Sequence, residues 1–191
     1  MARKKHAYPL VETTVTYLEM REPPSRPTVA APMTKLAIMR AGELTVSFYR
    51  YLYNTVGEPW SWTERRLLDD QALRKIVEDP LVEIYVLYAG GAPAGFVELD
   101  KRRDREVEIA YCGLIPEFIG RGLGSYLLDW AVHAAWQKKP ERVWVHTCTH
   151  DHPRALSVYQ RAGFEAYERR VEKIVPIEAL LAAPPSGGGS G

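Results

Sequence analysis

Cysteine is scarce in this chain of 191 residues, which contains only Cys112 and Cys148. Both lie in apolar surroundings and they do not form a Cys-x-x-Cys pair, so the sequence excludes a disulfide-stapled scaffold. Such usage favours reduced thiols in a cytoplasmic protein. A domain of this length buries roughly 70% of the surface of its extended chain, so stability requires neither a disulfide nor a metal.

Neither sign of charge is in excess, because 25 Lys and Arg residues face 24 Asp and Glu residues and the formal net charge is +1. The sequence therefore gives no reason to expect nucleic acid or an anionic membrane as a partner. A long hydrophobic run is also missing: the longest uncharged stretch, residues 84–97, has 14 residues and is interrupted by glycine and proline. A transmembrane helix needs roughly 20 apolar residues. The basic start, residues 1–9, has no apolar run behind it, so we expect no signal peptide.

Proline and glycine mark the ends of the chain. Four prolines between residues 21 and 32 remove backbone donors, so this segment is predicted to be a connector that is neither helix nor central strand. Residues 184–191, rich in glycine and serine, are predicted to be a flexible tail. The intervening length and apolar content predict a single domain over residues 1–183.

The hydrophobic pattern changes between helical and strand periodicity along the chain. Alternation and β-branched residues predict strands over 13–19, 81–89, 94–100, 106–114, 142–149 and 164–175. Steps of three and four predict helices over 45–56, from 61 to 78, over 123–134 and from 153 to 162. Gly57 is the predicted end of the first helix, and Ser61 with Glu64 reads as a capping box that starts the second. Residues 36–40 are ambiguous.

A glycine-rich turn between the strand 106–114 and the helix at 123 is the most informative segment. In Ile119-Gly120-Arg121-Gly122-Leu123-Gly124, a strand runs into a turn that opens a helix. Unpaired N–H groups converge there at the positive end of the helix dipole and form a cradle for an anion, to which Arg121 adds charge. A P-loop would need a lysine after the glycines, and a dinucleotide fingerprint would need glycine where Ser125 stands, so both patterns fit weakly.

This turn resembles the central motif of the GNAT superfamily of acyl-CoA N-acyltransferases, a strand, a Gln/Arg-x-x-Gly-x-Gly/Ala turn and a helix. Gly122 and Gly124 match the motif, and Ile119 stands where Gln or Arg is usual. Residues 152–164 are similar to a second motif of the family, Asn-x-x-Ala-x-x-x-Tyr-x-x-x-Gly-Phe, with His152 at the position of the asparagine. The resemblance covers about residues 81–164.

The resemblance implies an α/β fold of the GNAT type, a central mixed β-sheet flanked by helices on both faces, with acetyl-CoA in the cleft after the glycine turn. It implies cofactor contacts from Leu114, Ile119, Gly120, Arg121, Gly122, Leu123, Gly124, Ser125 and His152. It also implies direct attack of a primary amine on the thioester, so that neither cysteine serves as a nucleophile.

Each catalytic role follows from that reaction. An alkylammonium has a pKa near roughly 10 and must lose a proton before it attacks, which requires a carboxylate. Glu108 matches the family's general base, and Glu98 on the neighbouring strand is the second candidate. The backbone N–H of Leu114 is the implied donor to the tetrahedral oxyanion, and Tyr159 is the implied acid that protonates the leaving thiolate.

The acceptor is the least defined part of this interpretation. In the family, the first two helices cover the acceptor pocket, so Glu58 and Trp60 with neighbouring aromatic residues are expected to receive a small-molecule or peptide amine. Aromatic residues on these helices would also allow a homodimer. His146, Cys148 and His150 alternate on a strand, roughly 7 Å apart, too far to share one ion, so we expect no metal. A non-catalytic acyl-CoA module and transfer of a longer acyl group stay open as alternatives.

Overall fold

The computed structural model describes residues 8–32 and 35–182, so the predicted tail and most of the basic start lie outside the described residues. In chain order the strands are β1 Val11–Met20, β2 Leu36–Arg40, β3 Val82–Ala89, β4 Ala92–Asp100, β5 Glu106–Leu114, β6 Arg142–Cys148 and β7 Glu165–Ile174. The helices are α1 Val46–Gly57, α2 Asp70–Val77, α3 Leu123–Trp136, α4 Ala155–Ala162 and α5 Ile177–Leu181. No helix among these is long and apolar enough to cross a bilayer.

All seven strands form one mixed sheet in the order β2-β3-β4-β5-β6-β1-β7. Helices cover both faces, as predicted. On one face α3 buries Leu123, Leu127 and Ala131 against the sheet, and on the other α1 buries Tyr49 and Leu52. Strands β3, β4 and β5, which the hydrophobic pattern predicts, form an antiparallel meander, and the ambiguous residues 36–40 become its edge strand. This architecture confirms the α/β class.

The turn between α1 and α2 differs from the prediction. Helix α1 ends at Gly57, as predicted, but Gly57 keeps a right-handed φ of −91°, and the chain reverses only at Ser61, whose φ is +55°. The predicted capping box is therefore wrong: the carboxylate of Glu64 accepts from the Tyr111 hydroxyl instead of from the backbone of Ser61. Helix α2 starts nine residues later, where the side chain of Asp69 accepts the N–H of Ala72 at 2.8 Å.

The last strand is a single extended segment, in agreement with the absence of a turn signal in residues 164–175. It pairs antiparallel with β1, from Val11 opposite Ile174 to Glu19 opposite Glu165. Strand β1 is therefore inserted between β6 and β7. This order brings side chains of β1 and β7 beside those of β6 at one end of the sheet.

The centre of the sheet opens between β5 and β6. These strands pair in parallel only from Glu106 opposite Arg142 to Glu108 opposite Trp144, and they diverge beyond that point. On its other side β5 pairs with β4 through a register shift that leaves Ala110 without a partner. A bulge of this kind bends the strand and increases its twist. The bend leaves a gap beside the second half of β5.

The Pro-rich connector contains neither helix nor strand in its described residues, as predicted. It lies along α3, because Arg26 forms an ion pair with Asp129 and the N–H of Val29 donates to the same carboxylate at 2.7 Å. Its last proline, Pro32, lies close to Gly122 at the start of α3. The connector therefore borders the glycine-rich turn.

Candidate active site

The glycine-rich turn has the backbone geometry expected of an anion cradle. Gly120 and Gly122 have φ of +84° and +76°, in the left-handed region that favours glycine. Gly122 caps α3 without a side-chain hydrogen bond. Within residues 8–32 and 35–182, the N–H groups of residues 120–125 have no hydrogen-bond acceptor. These donors are unpaired at the positive end of a helix of 14 residues, an arrangement suited to a phosphate group.

A cavity of about 430 Å³ lies between this turn and α4, and we call it the glycine-turn cavity. On the side of the turn it is lined by Leu114, Ile119, Gly120, Gly122, Gly124 and Ser125. On the opposite side it is lined by His152, Arg154, Ala155, Val158, Tyr159 and Arg161. The structure thus brings together most of the residues predicted to contact the cofactor.

A second cavity, of about 280 Å³, lies in the opening between β5 and β6, and we call it the aromatic cavity. Its aromatic lining consists of Tyr17, Tyr53, Trp60, Trp62, Tyr111, Trp144 and Tyr159. Its carboxylates are Glu64, Glu108, Asp151 and Glu172. Strands β1, β5, β6 and β7 all contribute, so the inserted position of β1 is what closes this cavity.

The two cavities meet. Five residues line both of them: Trp60, Trp62, Cys112, Asp151 and Tyr159. A ligand in one cavity can therefore reach a ligand in the other across these side chains. This junction lies beside the end of β5, where the strand has separated from β6.

Glu108, the predicted base, lines the aromatic cavity and is held by a histidine. Its Oε1 lies 3.2 Å from Nδ1 of His146 on β6. Burial opposes protonation of this imidazole, but the hydrogen bond and the charge of Glu108 outweigh it and raise the pKa of His146 above its usual 6.5. The pair can therefore hold a proton beside the cavity.

Tyr159, the predicted acid, stands at the junction itself. Burial raises the pKa of Tyr159 well above its usual value of 10, so its hydroxyl keeps its proton. That hydroxyl has no hydrogen-bond partner in the described part of the chain. The neighbouring Cys112 thiol is also buried, which raises its pKa to about 12, so it is a poor nucleophile.

The backbone of Leu114 points into the gap. The N–H of the next residue, Ile115, donates to Ala94 of β4 at 2.9 Å. Successive N–H groups of a strand point to opposite sides, so that of Leu114 is directed away from β4 and toward the opening. Leu114 also lines the glycine-turn cavity. Its N–H is thus available to an oxygen at the junction.

Four of the residues predicted to act at the site lie apart from both cavities. Glu98 is fully buried in the core, where it accepts from Tyr49 and pairs with Arg65 at 2.7 Å. Glu58 is exposed and pairs with Arg66 at 3.0 Å.

Arg121 lies over the Phe118 ring, and the Leu123 side chain is buried in the core, so only the backbone N–H of Leu123 faces the turn. Trp60, by contrast, lines both cavities and packs edge-on against His152, with ring centroids 5.1 Å apart.

Sequence reasoning missed Asp151 and the placement of Trp62. The Asp151 carboxylate accepts the indole N–H of Trp62 at 3.2 Å and the Thr147 hydroxyl at 2.8 Å. The indole lies over the backbone of Gly57, where an added Cβ atom would come within 2.6 Å of the ring. The sequence predicts Gly57 as the end of one helix and Trp62 as part of the next, and neither pattern indicates that the indole lies against Gly57.

Known proteins resemble the chain at the level of fold. It matches a GCN5-related N-acetyltransferase from Sphaerobacter thermophilus at 21% identity and a TM-score of 0.57, covering 91% of this chain and 55% of that one. An acetyltransferase from Bacillus subtilis in complex with CoA matches at 24% identity and a TM-score of 0.51, covering 69% and 77%. An aminoglycoside acetyltransferase from an uncultured soil metagenomic sample matches at 17% identity and a TM-score of 0.56, covering 70% and 90%.

The chain also matches a conserved protein of unknown function from Staphylococcus epidermidis, at 17% identity and a TM-score of 0.61. The match covers 86% of this chain but only 62% of the length of that protein. No curated protein matches the sequence. The model of the acetyltransferase (GNAT) family matches residues 46–164, more than half of the chain. By this match the chain belongs to the GNAT acetyltransferase family, whose general reaction is acyl transfer from acyl-CoA.

Proposed function

We propose that this chain transfers an acetyl group from acetyl-CoA to a primary amine of a small molecule or peptide. The observation that carries the proposal is the junction of two unlike cavities at Tyr159. One presents unpaired N–H groups suited to an anion, and the other presents carboxylates and aromatic rings suited to a cation. A reaction between an acyl-CoA and an amine needs both at one place.

The residues of the glycine-turn cavity fit coenzyme A. The N–H groups of residues 120–125 are free to hold the pyrophosphate, and added atoms at Gly120 would meet nothing within 4 Å, so the turn is open to a ligand. Ser125 and His152 line the same cavity and are positioned for further polar contacts. Bound there, acetyl-CoA would supply a thioester as the acyl donor.

The chain's own residues then account for each proton. Glu108 takes the proton of the ammonium group, which leaves the nitrogen free to form the new C–N bond. The Leu114 N–H donates to the carbonyl oxygen as negative charge develops on it. As the C–S bond breaks, Tyr159 donates its proton to the thiolate, and the second proton that the nitrogen loses on becoming an amide returns to the Tyr159 oxygen. Burial raises the pKa of both cysteine thiols and keeps them protonated, which is consistent with direct transfer through a ternary complex. Both cysteines are free rather than disulfide-bonded, which is consistent with a cytoplasmic location.

The test is release of free thiol from acetyl-CoA with a panel of primary amines, for the wild type and for Tyr159→Phe. We expect the wild type to release thiol and the variant to lose about 10²-fold or more in kcat, the range of general acid catalysis. An equal rate in the wild type and in Tyr159→Phe would refute the role of Tyr159 as the general acid. Comparison of acetyl-CoA with a longer acyl-CoA tests the acyl group.

Binding is measured separately. At 100 times its dissociation constant, coenzyme A should stabilise the chain by about 2.7 kcal/mol, which thermal unfolding detects. Stabilisation without thiol release for any amine would favour a non-catalytic acyl-CoA module. No stabilisation would contradict the assignment of the glycine-turn cavity.

A further inference from the structure

The aromatic cavity carries more negative charge than the transfer of one amine requires. Its four carboxylates come from separate parts of the chain: Glu64 from the loop before α2, Glu108 from β5, Asp151 from the loop after β6 and Glu172 from β7. Only Arg103 and His146 line it with positive or potentially positive groups. Concave surfaces of one sign with low-dielectric walls concentrate ligands of the opposite sign.

Those positive groups do not neutralise the cavity. Arg103 is stacked over the Trp144 ring, 4.7 Å from its centroid, and forms no ion pair within the described residues. His146 is engaged with Glu108. Arg65, which lies over the Tyr111 ring, is paired with the buried Glu98. Arg170, which lies over the Tyr17 ring, is paired with Glu168. The carboxylates at the other side of the cavity thus have no ion-pair partner among the described residues.

Two of these carboxylates are held in place by hydroxyl groups of the aromatic wall. The Tyr111 hydroxyl donates to Oε2 of Glu64, and the Tyr17 hydroxyl donates to Oε1 of Glu172. Each therefore keeps a second oxygen, for which the described residues provide no partner, and neither has a Lys or Arg within 4.0 Å. A carboxylate fixed by one hydrogen bond with its other oxygen open is arranged to receive an ammonium group.

A second observation points to a ligand independently of charge. The indole N–H of Trp144, a side chain that lines the cavity and is 3% exposed, is buried without a hydrogen-bond partner among the described residues. A buried polar group without a partner is costly, so the cavity is built to be completed by something else. Its volume of about 280 Å³ is at the lower end of the range for ligand pockets, which suits a short molecule.

The carboxylate of Glu108 and those of Glu64 and Glu172 have different roles during acyl transfer. A nitrogen that attacks a thioester must give up its proton, and Glu108, which lines the same cavity as Tyr159, is placed to accept it. A monoamine would then leave both Glu64 and Glu172 without an ion-pair partner, since Arg170 beside Tyr17 is paired with Glu168 and no Lys or Arg of the described residues lies within 4.0 Å of either carboxylate. Aromatic faces between these carboxylates attract a second ammonium group as well.

We infer that the aromatic cavity binds a small amine with two cationic groups, a diamine or short polyamine, with one nitrogen at Glu108 and the other held by Glu64 and Glu172. The inference rests on the proposed acyl transfer and names the substrate class for it. The apolar chain between the two nitrogens packs along the aromatic wall.

The experiment compares 1,4-diaminobutane with n-butylamine, which has the same carbon chain and one ammonium group fewer. With acetyl-CoA as donor, we expect kcat/KM for the diamine to exceed that for the monoamine by about tenfold, the effect of one hydrogen bond between charged groups. Glu172→Gln and Glu64→Gln should each bring this ratio close to one. Glutamine still accepts a hydrogen bond from the tyrosine hydroxyl, so these variants keep the aromatic lining of the cavity in place.

Glu165→Gln is the matched control, because Glu165 lies exposed on the same strand as Glu172 and lines neither cavity. It should leave the ratio as in the wild type. A ratio of about one in the wild type, or unchanged in Glu172→Gln and Glu64→Gln, would overturn the inference while leaving acyl transfer intact. Faster turnover of phenethylamine than of the diamine would overturn it in favour of an aromatic monoamine.

A calorimetric titration of 1,4-diaminobutane into the chain without acetyl-CoA separates this site from the reaction. We expect binding that weakens with salt, is lost in Glu172→Gln and persists in Glu165→Gln. Binding of this kind without thiol release for any amine would refute the proposed acyl transfer and retain the diamine site. No binding to the wild type would refute the site.

Discussion

The left-handed glycines of the turn allow a quantitative test of the anion cradle. An L side chain at a left-handed φ costs about 1–2 kcal/mol, so Gly120→Ala and Gly122→Ala should each lose about that much unfolding free energy. For a domain of this size, each kcal/mol lowers Tm by roughly 2–4 °C. An added Cβ at Gly120 meets no atom within 4 Å, so the unfolding free energy that Gly120→Ala loses comes from backbone strain alone. An added Cβ at Gly122 lies 3.4 Å from Pro32, so Gly122→Ala also adds a contact.

Thermal unfolding with and without coenzyme A is the assay. Gly42→Ala is the control, because Gly42 has no positive φ and an added Cβ there meets nothing within 4 Å. If the turn relaxes its strain by moving, its N–H groups no longer converge, and the stabilisation by coenzyme A should fall in both variants but not in the control. Destabilised variants that respond to coenzyme A as fully as the wild type would refute the role of these N–H groups.

Three other changes test the surroundings of the site. Burial alone would raise the pKa of Glu83, but hydrogen bonds from two lysines and a tyrosine lower it to about 2. The stability that Glu83 contributes is therefore present above pH 4.5 and lost as pH falls through 2. In urea unfolding, Glu83→Gln should cost about 3 kcal/mol of unfolding free energy at neutral pH and little at pH 2. Equal losses at the two pH values would contradict this. The raised pKa of His146 contributes stability below pH 6.5 that is lost as pH rises through the folded value, so the deficit of His146→Gln should shrink with rising pH; a constant deficit would exclude the pairing with Glu108. Gly57→Ala should lower the unfolding free energy by about 1–3 kcal/mol, because the added Cβ displaces the Trp62 indole. The same change at a helical glycine with open space around it would raise the unfolding free energy.

Local patterns predicted the elements that carry the cofactor side of the site. The strand over 106–114, the glycine turn and α3 are contiguous in the chain, and their geometry depends on neighbouring residues, so the periodicity and the glycines were sufficient. The same holds for Tyr159 and Gly163, which share one short helix and its left-handed end. Boundaries within these elements differ by one or two residues.

Where a prediction depended on a partner distant in sequence, the pattern could mislead. Ser61 and Glu64 have the spacing of a capping box, but Tyr111, 47 residues away from Glu64, provides a hydroxyl donor that the sequence alone does not locate. Glu98 sits on the strand beside Glu108 and looks equally suited to be a base, yet it is buried in the core, where it accepts from Tyr49 and pairs with Arg65.

The sequence by itself determined the α/β class, the glycine turn and the positions of Glu108, Leu114 and Tyr159, because each is encoded in residues close together along the chain. Only the tertiary structure decided the aromatic cavity, because it is assembled from strands β1, β5, β6 and β7, which are far apart in sequence. Its charge arises where Glu172 near the end of the chain comes to lie beside Tyr17 near the start. Contacts over that separation depend on the order of strands in the sheet, which no local periodicity specifies.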